Sequence, residues 1–299
     1  MAVGKRISTW FEGTWHDGDI PLLRAADHAT WLGTLVFDGA RYFDGLVPDL
    51  DLHCERIIRS AESMAMNAPI TAKEIEELVL ERLPDYQKQA VYIRPMMWST
   101  DGGVGMIAPD PAKTAFAICL EDIPMPEVGD FALGVSTFAR PRQDMAVTEA
   151  KAACLYANNG RILAEAQRNG FNNALSCDVD GNVAETASSN VFMVRDGVVF
   201  TPKPNGMFLA GITRLRSIDL LRRDGVEVRE TTLTLEDFDD ASEIFLTANA
   251  AKITPVTRYK DRHMNIGPMA MRGNITNHLL HQTVTSEALG YILHCLDRE

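Results

Sequence analysis

The chain has 299 residues, 46% of them hydrophobic, and carries 29 Lys and Arg against 41 Asp and Glu for a formal net charge of −12. That length and apolar content can bury a sizeable core and point to two domains of ordinary size, which excludes intrinsic disorder. The acidic balance excludes recognition of nucleic acid or an anionic membrane through bulk charge and leaves small molecules as partners. Five scattered cysteines (Cys54, Cys119, Cys154, Cys177, Cys295), with no CxxC pair and no His/Cys cluster at metal spacing, read as reduced thiols and give no metal site. The start MAVGKRISTWFEG lacks the apolar core of a signal peptide, and no apolar run approaches the ~18 residues of a membrane span. A soluble, cytoplasmic protein is expected.

In chain order, RISTWFEGTW alternates around Glu-Gly and predicts a hairpin, and GTLVFDGARYFDG reads as short strands with tight turns. LHCERIIRSAESMAM has helical apolar spacing, and TAKEIEELVLERL is a second amphipathic helix opened by Thr71 with Glu74 three residues on. AVYIRPMMW and TAFAICL read as buried strands, completing a small α+β domain over 1–123. Pro124, Pro126 and Gly129 break the pattern and mark a linker at 124–130. In the larger domain, 131–299, FALGVSTFAR is a predicted strand and EAKAACLYANNGRILAEAQRNG a helix ended by Gly170. Asp-Gly pairs in ALSCDVDGNVAET and VFMVRDGVVFTP are hairpin signals. GITRLRSIDLLRRDG is a helix, EIFLTANAA a strand running into a turn, and HLLHQTVTSEALGYIL a closing helix.

Four features could carry chemistry. Lys151 sits among alanines with no acid one helical turn on, so a half-buried amine that attacks a carbonyl and a plain helix-start lysine are both open readings. Glu185, on a strand in GNVAETASSNVF, needs a partner if buried, and a protonated ring nitrogen would be one; an exposed strand glutamate is the other reading. Gly211-Ile212-Thr213 opens a helix whose first amides could hold a phosphate, with Arg56 of HCER and Thr247 and Asn249 of FLTANAA adding donors of the same kind. Tyr92 and Arg94 of YIRP share a strand face, and with Arg41 these arginines require an anion, either a substrate carboxylate or an internal acid.

The ordered set VFDGAR, HCER, YIRP, the lysine segment with Tyr156, E-x-x-x-x-N-x-F, TP, GITR and ITPV resembles the class IV aminotransferases, the fold type IV pyridoxal-phosphate enzymes, from the WFEG hairpin to about Arg258. It is most similar to branched-chain amino-acid aminotransferases and to their (R)-selective amine transaminase branch. The resemblance implies a homodimer whose protomers have a small α+β domain and a larger domain with a pseudobarrel sheet. It implies that Lys151 binds pyridoxal 5'-phosphate covalently and shuttles a proton, that Glu185 holds the pyridine nitrogen, and that Tyr156 meets the phenolic oxygen. Arg56, the amides of Ile212 and Thr213, and Asn249 would hold the phosphate. Phe37, Arg41, Tyr92, Arg94 and Ala250 would line the substrate side. The implied reaction moves an amino group from a branched-chain amino acid, or a similar amine, to a 2-oxo acid with ping-pong kinetics. An (R)-amine:pyruvate transaminase is the alternative. A D-amino-acid transaminase, an aminodeoxychorismate lyase and a non-catalytic pyridoxal-phosphate-binding protein follow it. TANAAKITP departs from the usual TGTAAEITP: Asn249 stands where a threonine is expected and Lys252 where an acid is common. Ala210 before GITR, where proline is frequent, and CLYANNG depart as well; the segments FDGARYFDG, CLYANN and TANAAKITPVTR are more similar to the amine-active branch.

Overall fold

The computed structural model of the protein describes residues 4–87, 89–127 and 129–272; the helix expected over 278–293 lies outside them. The chain forms two compact units, residues 4–125 with 150–154, and residues 126–149 with 155–272. No helix among the described residues is long and apolar enough to cross a membrane.

The first unit is built on one six-stranded sheet. Its elements are β1 Ile7–Phe11, β2 Thr14–Asp17, α1 His28–Leu32, β3 Leu35–Phe37, β4 Ala40–Tyr42, α2 Leu50–Ser63, α3 Ala72–Arg82, β5 Val91–Ser99 and β6 Thr114–Glu121. The sheet order is β2-β1-β6-β5-β3, and β4 also pairs with β5. The β1–β2 turn matches its sequence signal: Glu12 and Gly13 both take positive φ, 48° and 83°, the geometry whose twist suits a two-residue hairpin. Helix α2 buries Cys54, Ile57 and Ala61 on one stripe. A capping box opens α3, with Glu74 N donating to Thr71 Oγ1 at 3.2 Å and Thr71 N to Glu74 Oε2 at 2.8 Å. Thr71→Ala is therefore expected to cost about 1 kcal/mol, read as a lowered urea midpoint with an unchanged slope.

The second unit contains β7 Ala132–Val135, α4 Tyr156–Arg168, β8 Asn173–Cys177, β9 Val183–Thr186, β10 Asn190–Arg195, β11 Val198–Pro202, α5 Ile212–Arg223, β12 Val228–Thr231, α6 Leu235–Asp239, β13 Glu243–Ala248, β14 Lys252–Pro255, β15 Arg258–Tyr259, β16 Arg262–His263 and α7 Pro268–Arg272. Two five-stranded sheets, β12-β11-β10-β13-β14 and β16-β15-β7-β8-β9, share a core. Leu133, Leu175 and Val183 of one meet Val191, Met193, Phe200 and Leu246 of the other. On the opposite face of β10 and β13, Phe192 stacks on Phe245 with centroids 4.8 Å apart, and Ile218 and Leu221 seat α5 against them. The whole is α+β.

Two sequence expectations are corrected. The helix predicted from Glu149 begins only at Tyr156, after a short 3-10 turn. Around Lys151 the backbone is drawn into an extended bridge, Val36 opposite Ala152, so tertiary pairing overrides the helix propensity of the alanines. The strand predicted over 131–140 stops at Val135. There the Glu165 carboxylate accepts from Ser136 Oγ at 2.5 Å and Thr137 N at 3.0 Å and turns the chain away.

Candidate active site

In the first unit, the turn between β3 and β4 and one stripe of α2 position the predicted lysine. Phe37 N donates to Lys151 O at 3.1 Å, and Lys151 N donates to Ser60 Oγ at 3.1 Å. These backbone bonds leave the side chain to be placed on its own, and Nζ lies 4.8 Å from the centroid of the Phe37 ring, where the ring face attracts a cation. Lys151 is half-buried.

His53, Arg56 and Ser60 stand at helical spacing on α2. The first two converge on Asp38, a residue the sequence reading passes over. Arg56 donates to it bidentately, Nε to Oδ2 and Nη2 to Oδ1, both at 2.7 Å. His53 Nδ1 lies 2.7 Å from the same Oδ1 and, against a carboxylate, must be the donor. Gly39 N adds a fourth bond at 2.7 Å. Asp38 is fully buried. Burial alone would push its carboxyl up, but the Arg56 guanidinium and the His53 ring outweigh that and hold it well below the usual carboxylate range. The phosphate-side arginine of the sequence reading is thus anchored to a buried acid.

Tyr92 lies on β5 opposite Arg41 of β4, with the guanidinium carbons of Arg41 and Arg94 5.9 and 5.2 Å from its ring centroid. A Cβ placed on Gly39 would stand 2.3 Å from the Tyr92 oxygen and 2.9 Å from Cζ, so only glycine lets the phenol approach the turn. The two arginines differ. Arg94 Nη1 is paired with Glu121 Oε1 at 2.6 Å, the internal-acid alternative. Arg41, 1% exposed, has no acid partner among the described residues: Nη2 donates to Pro124 O at 2.9 Å and Nε to Met125 Sδ at 3.2 Å. Its Nη1 is buried with no acceptor, and burial pushes its pKa down. A buried guanidinium so placed calls for an anion.

The second unit holds Tyr156, Glu185, Ile212, Thr213, Asn249 and Ala250. Tyr156 is half-buried at the first position of α4. Glu185 on β9 is 8% exposed and ion-paired with Arg140 Nη2 at 2.9 Å; Arg140 Nη1 is hydrogen-bonded to Asn159. Asn190 Nδ2 lies 3.4 Å from Glu185 Oε2. These two donors occupy part of the roughly four acceptor sites a carboxylate offers and stabilise its ionised form. Asn190 then reaches the third feature, since its Oδ1 accepts from Gly211 N at 3.0 Å at the N-cap of α5. The N-cap residue Gly211 makes no side-chain bond to the amides of that helix's first turn, and such amides suit an anion. Asn190 is also paired across the sheet with Thr247, whose hydroxyl is buried with no partner among the described residues, as is Asn249 Nδ2. In the second unit, taken by itself, an oxyanion offers the acceptor that Asn249 Nδ2 lacks and can satisfy the Thr247 hydroxyl; in the first unit, taken by itself, the Lys151 amine suits a carbonyl electrophile. The second unit's residues fit a phosphorylated ligand, and the first unit's lysine fits a carbonyl one. Sequence reasoning misses Asp38, His53, Arg140 and Asn159 as site residues because each acts through a partner remote in the chain.

The sequence matches the family described as "Amino-transferase class IV" over residues 35–259. It is 36% identical over 247 residues to the putative branched-chain-amino-acid aminotransferase of Methanocaldococcus jannaschii, covering 80% of this chain and 83% of that one. It is 33% identical over 272 residues to the branched-chain-amino-acid aminotransferase of Escherichia coli strain K12, covering 86% of each. Among solved structures, an aminotransferase from Brucella abortus bound to the co-factor PLP superposes with a TM-score of 0.89 at 50% identity, over 90% of this chain and 96% of that one. The branched-chain amino acid aminotransferase of Escherichia coli gives 0.87 at 28% identity, over 96% and 98%.

Proposed function

We propose, because the chain belongs to the class IV aminotransferases, that it moves the amino group of an apolar α-amino acid of the branched-chain type to a 2-oxo acid, with pyridoxal phosphate as cofactor. Bound, that cofactor supplies an electron sink for the charge that develops at the substrate Cα. Lys151 Nζ would hold it covalently and, once the donor's amino group has displaced it, would carry the proton to and from Cα. Glu185, ion-paired with Arg140, would accept the hydrogen bond of the ring nitrogen, and Tyr156 would donate to the ring oxygen. Arg56, the Ile212 and Thr213 amides and Asn249 bind the phosphate. Phe37, Tyr92 and Ala250 border the substrate. By family resemblance the active form is a homodimer in the cytoplasm.

The observation that carries the substrate class is Arg41. A buried guanidinium without an acid partner among the described residues suits the α-carboxylate of an amino acid and has no use for a simple amine. The holoenzyme titrated separately with L-leucine, D-alanine and (R)-1-phenylethylamine should lose the visible band of its lysine-bound cofactor with leucine alone; bleaching by the amine alone would overturn the assignment. Arg41→Met is expected to lower kcat/KM for the amino acid about 30- to 4000-fold, the range for a buried charge losing its partner. Arg94→Gln, which breaks an internal pair, should affect all donors equally.

A further inference from the structure

The turn between β13 and β14 closes on a buried cation in an uncommon backbone conformation. Lys252, 3% exposed, has φ +60° and pairs with Ala248 across the loop of Asn249, Ala250 and Ala251. A side-chain-bearing residue in the left-handed region costs about 1 kcal/mol or more and persists where its surroundings require it. Lys252 Nζ donates to Asn249 Oδ1 at 2.6 Å. An ammonium can only donate, so this bond dictates which way the neighbouring amide faces: the oxygen is committed to Lys252 and the NH2 is turned elsewhere. That NH2 is buried with no acceptor among the described residues. Two residues earlier on β13, the Thr247 hydroxyl is in the same condition at 2% exposure. Thr247 faces Asn190, and Asn190 accepts from the N-cap of α5, so the unsatisfied donors and the uncapped helix start share one end of one sheet.

We propose that Lys252 is a positioning residue that fixes Asn249 as a hydrogen-bond donor to the cofactor phosphate. The inference rests on the pyridoxal-phosphate reading above. It assigns a task to a lysine where the resembled pattern has an acid: a carboxylate beside Asn249 would draw the NH2 toward itself and present the oxygen to the phosphate.

The test compares uptake of pyridoxal phosphate with uptake of pyridoxal, which lacks the phosphate, by the full-length protein stripped of cofactor. Lys252→Met is expected to raise the Kd for pyridoxal phosphate about 10-fold, the effect of one charge-assisted bond, and to leave pyridoxal unchanged. In an Asn249→Ala background the same substitution should add less than about a factor of three. Asn249→Asp, which keeps the bond to Lys252 but removes the donor, should lose phosphate-dependent affinity by about 10-fold or more; this variant stands independently of whether Lys252→Met folds. Unchanged affinity in Lys252→Met, an equal loss for pyridoxal, or an undiminished effect in the Asn249→Ala background would each overturn the positioning role. Wild-type protein that takes up neither compound would overturn the cofactor reading itself.

Discussion

Lys151→Ala should reduce transamination on the order of 10^4-fold, the upper range for removing a positioned acid–base group, while the protein folds normally. The separation of the two effects comes from the local structure. The backbone of Lys151 is held by Phe37 N and Ser60 Oγ, neither of which involves its side chain. The contact of the side chain with the Phe37 ring is worth about 0.5–1 kcal/mol at a partly exposed site. A coupled assay of amino-acid consumption, run beside thermal unfolding, checks both halves. Activity within a factor of ten of wild type would rule out the lysine as the proton carrier.

Asp38→Asn should destabilise the first unit by about 3–5 kcal/mol, because it leaves a buried guanidinium facing an amide. Asp38 accepts both bonds of Arg56, one from His53 and one from Gly39, and an asparagine would aim a donor at the guanidinium. The pH dependence follows from the direction of the shift. The folded-state pKa of Asp38 is depressed, so its stabilising contribution is fully present above the unfolded value, about 3.9, and is lost as pH falls through the folded value. Urea midpoints of wild type and variant should differ by a constant amount from pH 7 to about 5 and begin to approach each other below about pH 4. A constant gap down to pH 3 would show that the carboxylate is not the origin of the difference. Because Arg56 is the proposed phosphate arginine, the variant should also weaken cofactor binding.

Much of the architecture is legible in local pattern. The Glu12-Gly13 and Asp196-Gly197 pairs take the positive φ values their hairpins need, Thr71 and Glu74 form their capping box, and the helix after Gly211 runs to Arg223. What escapes is long-range. The alanines flanking Lys151 satisfy a helical pattern and an extended bridge equally well, and the choice is made by Val36, more than a hundred positions earlier. Buried charges follow the same rule. That Glu185 needs a partner is readable from its strand; that Arg140 is one depends on the folded chain. Arg56 is recognisable from HCER, but Asp38 is hidden in VFDGAR as an ordinary turn residue. The arginines of the substrate side separate only once Glu121 is found beside Arg94.

The tight approach of Tyr92 to Gly39 has a consequence for how this protein can change over generations. A methyl group at position 39 would collide with both the phenol oxygen and the ring carbon that bears it, so neither alanine at 39 with tyrosine at 92 nor alanine with phenylalanine is accommodated in this backbone. The two positions form a lock with a preferred order of opening: residue 92 must shrink before residue 39 can grow. Lineages that have enlarged position 39 should therefore carry small residues opposite it, and a library that randomises the two sites together should recover functional combinations that stepwise single substitutions at position 39 never reach.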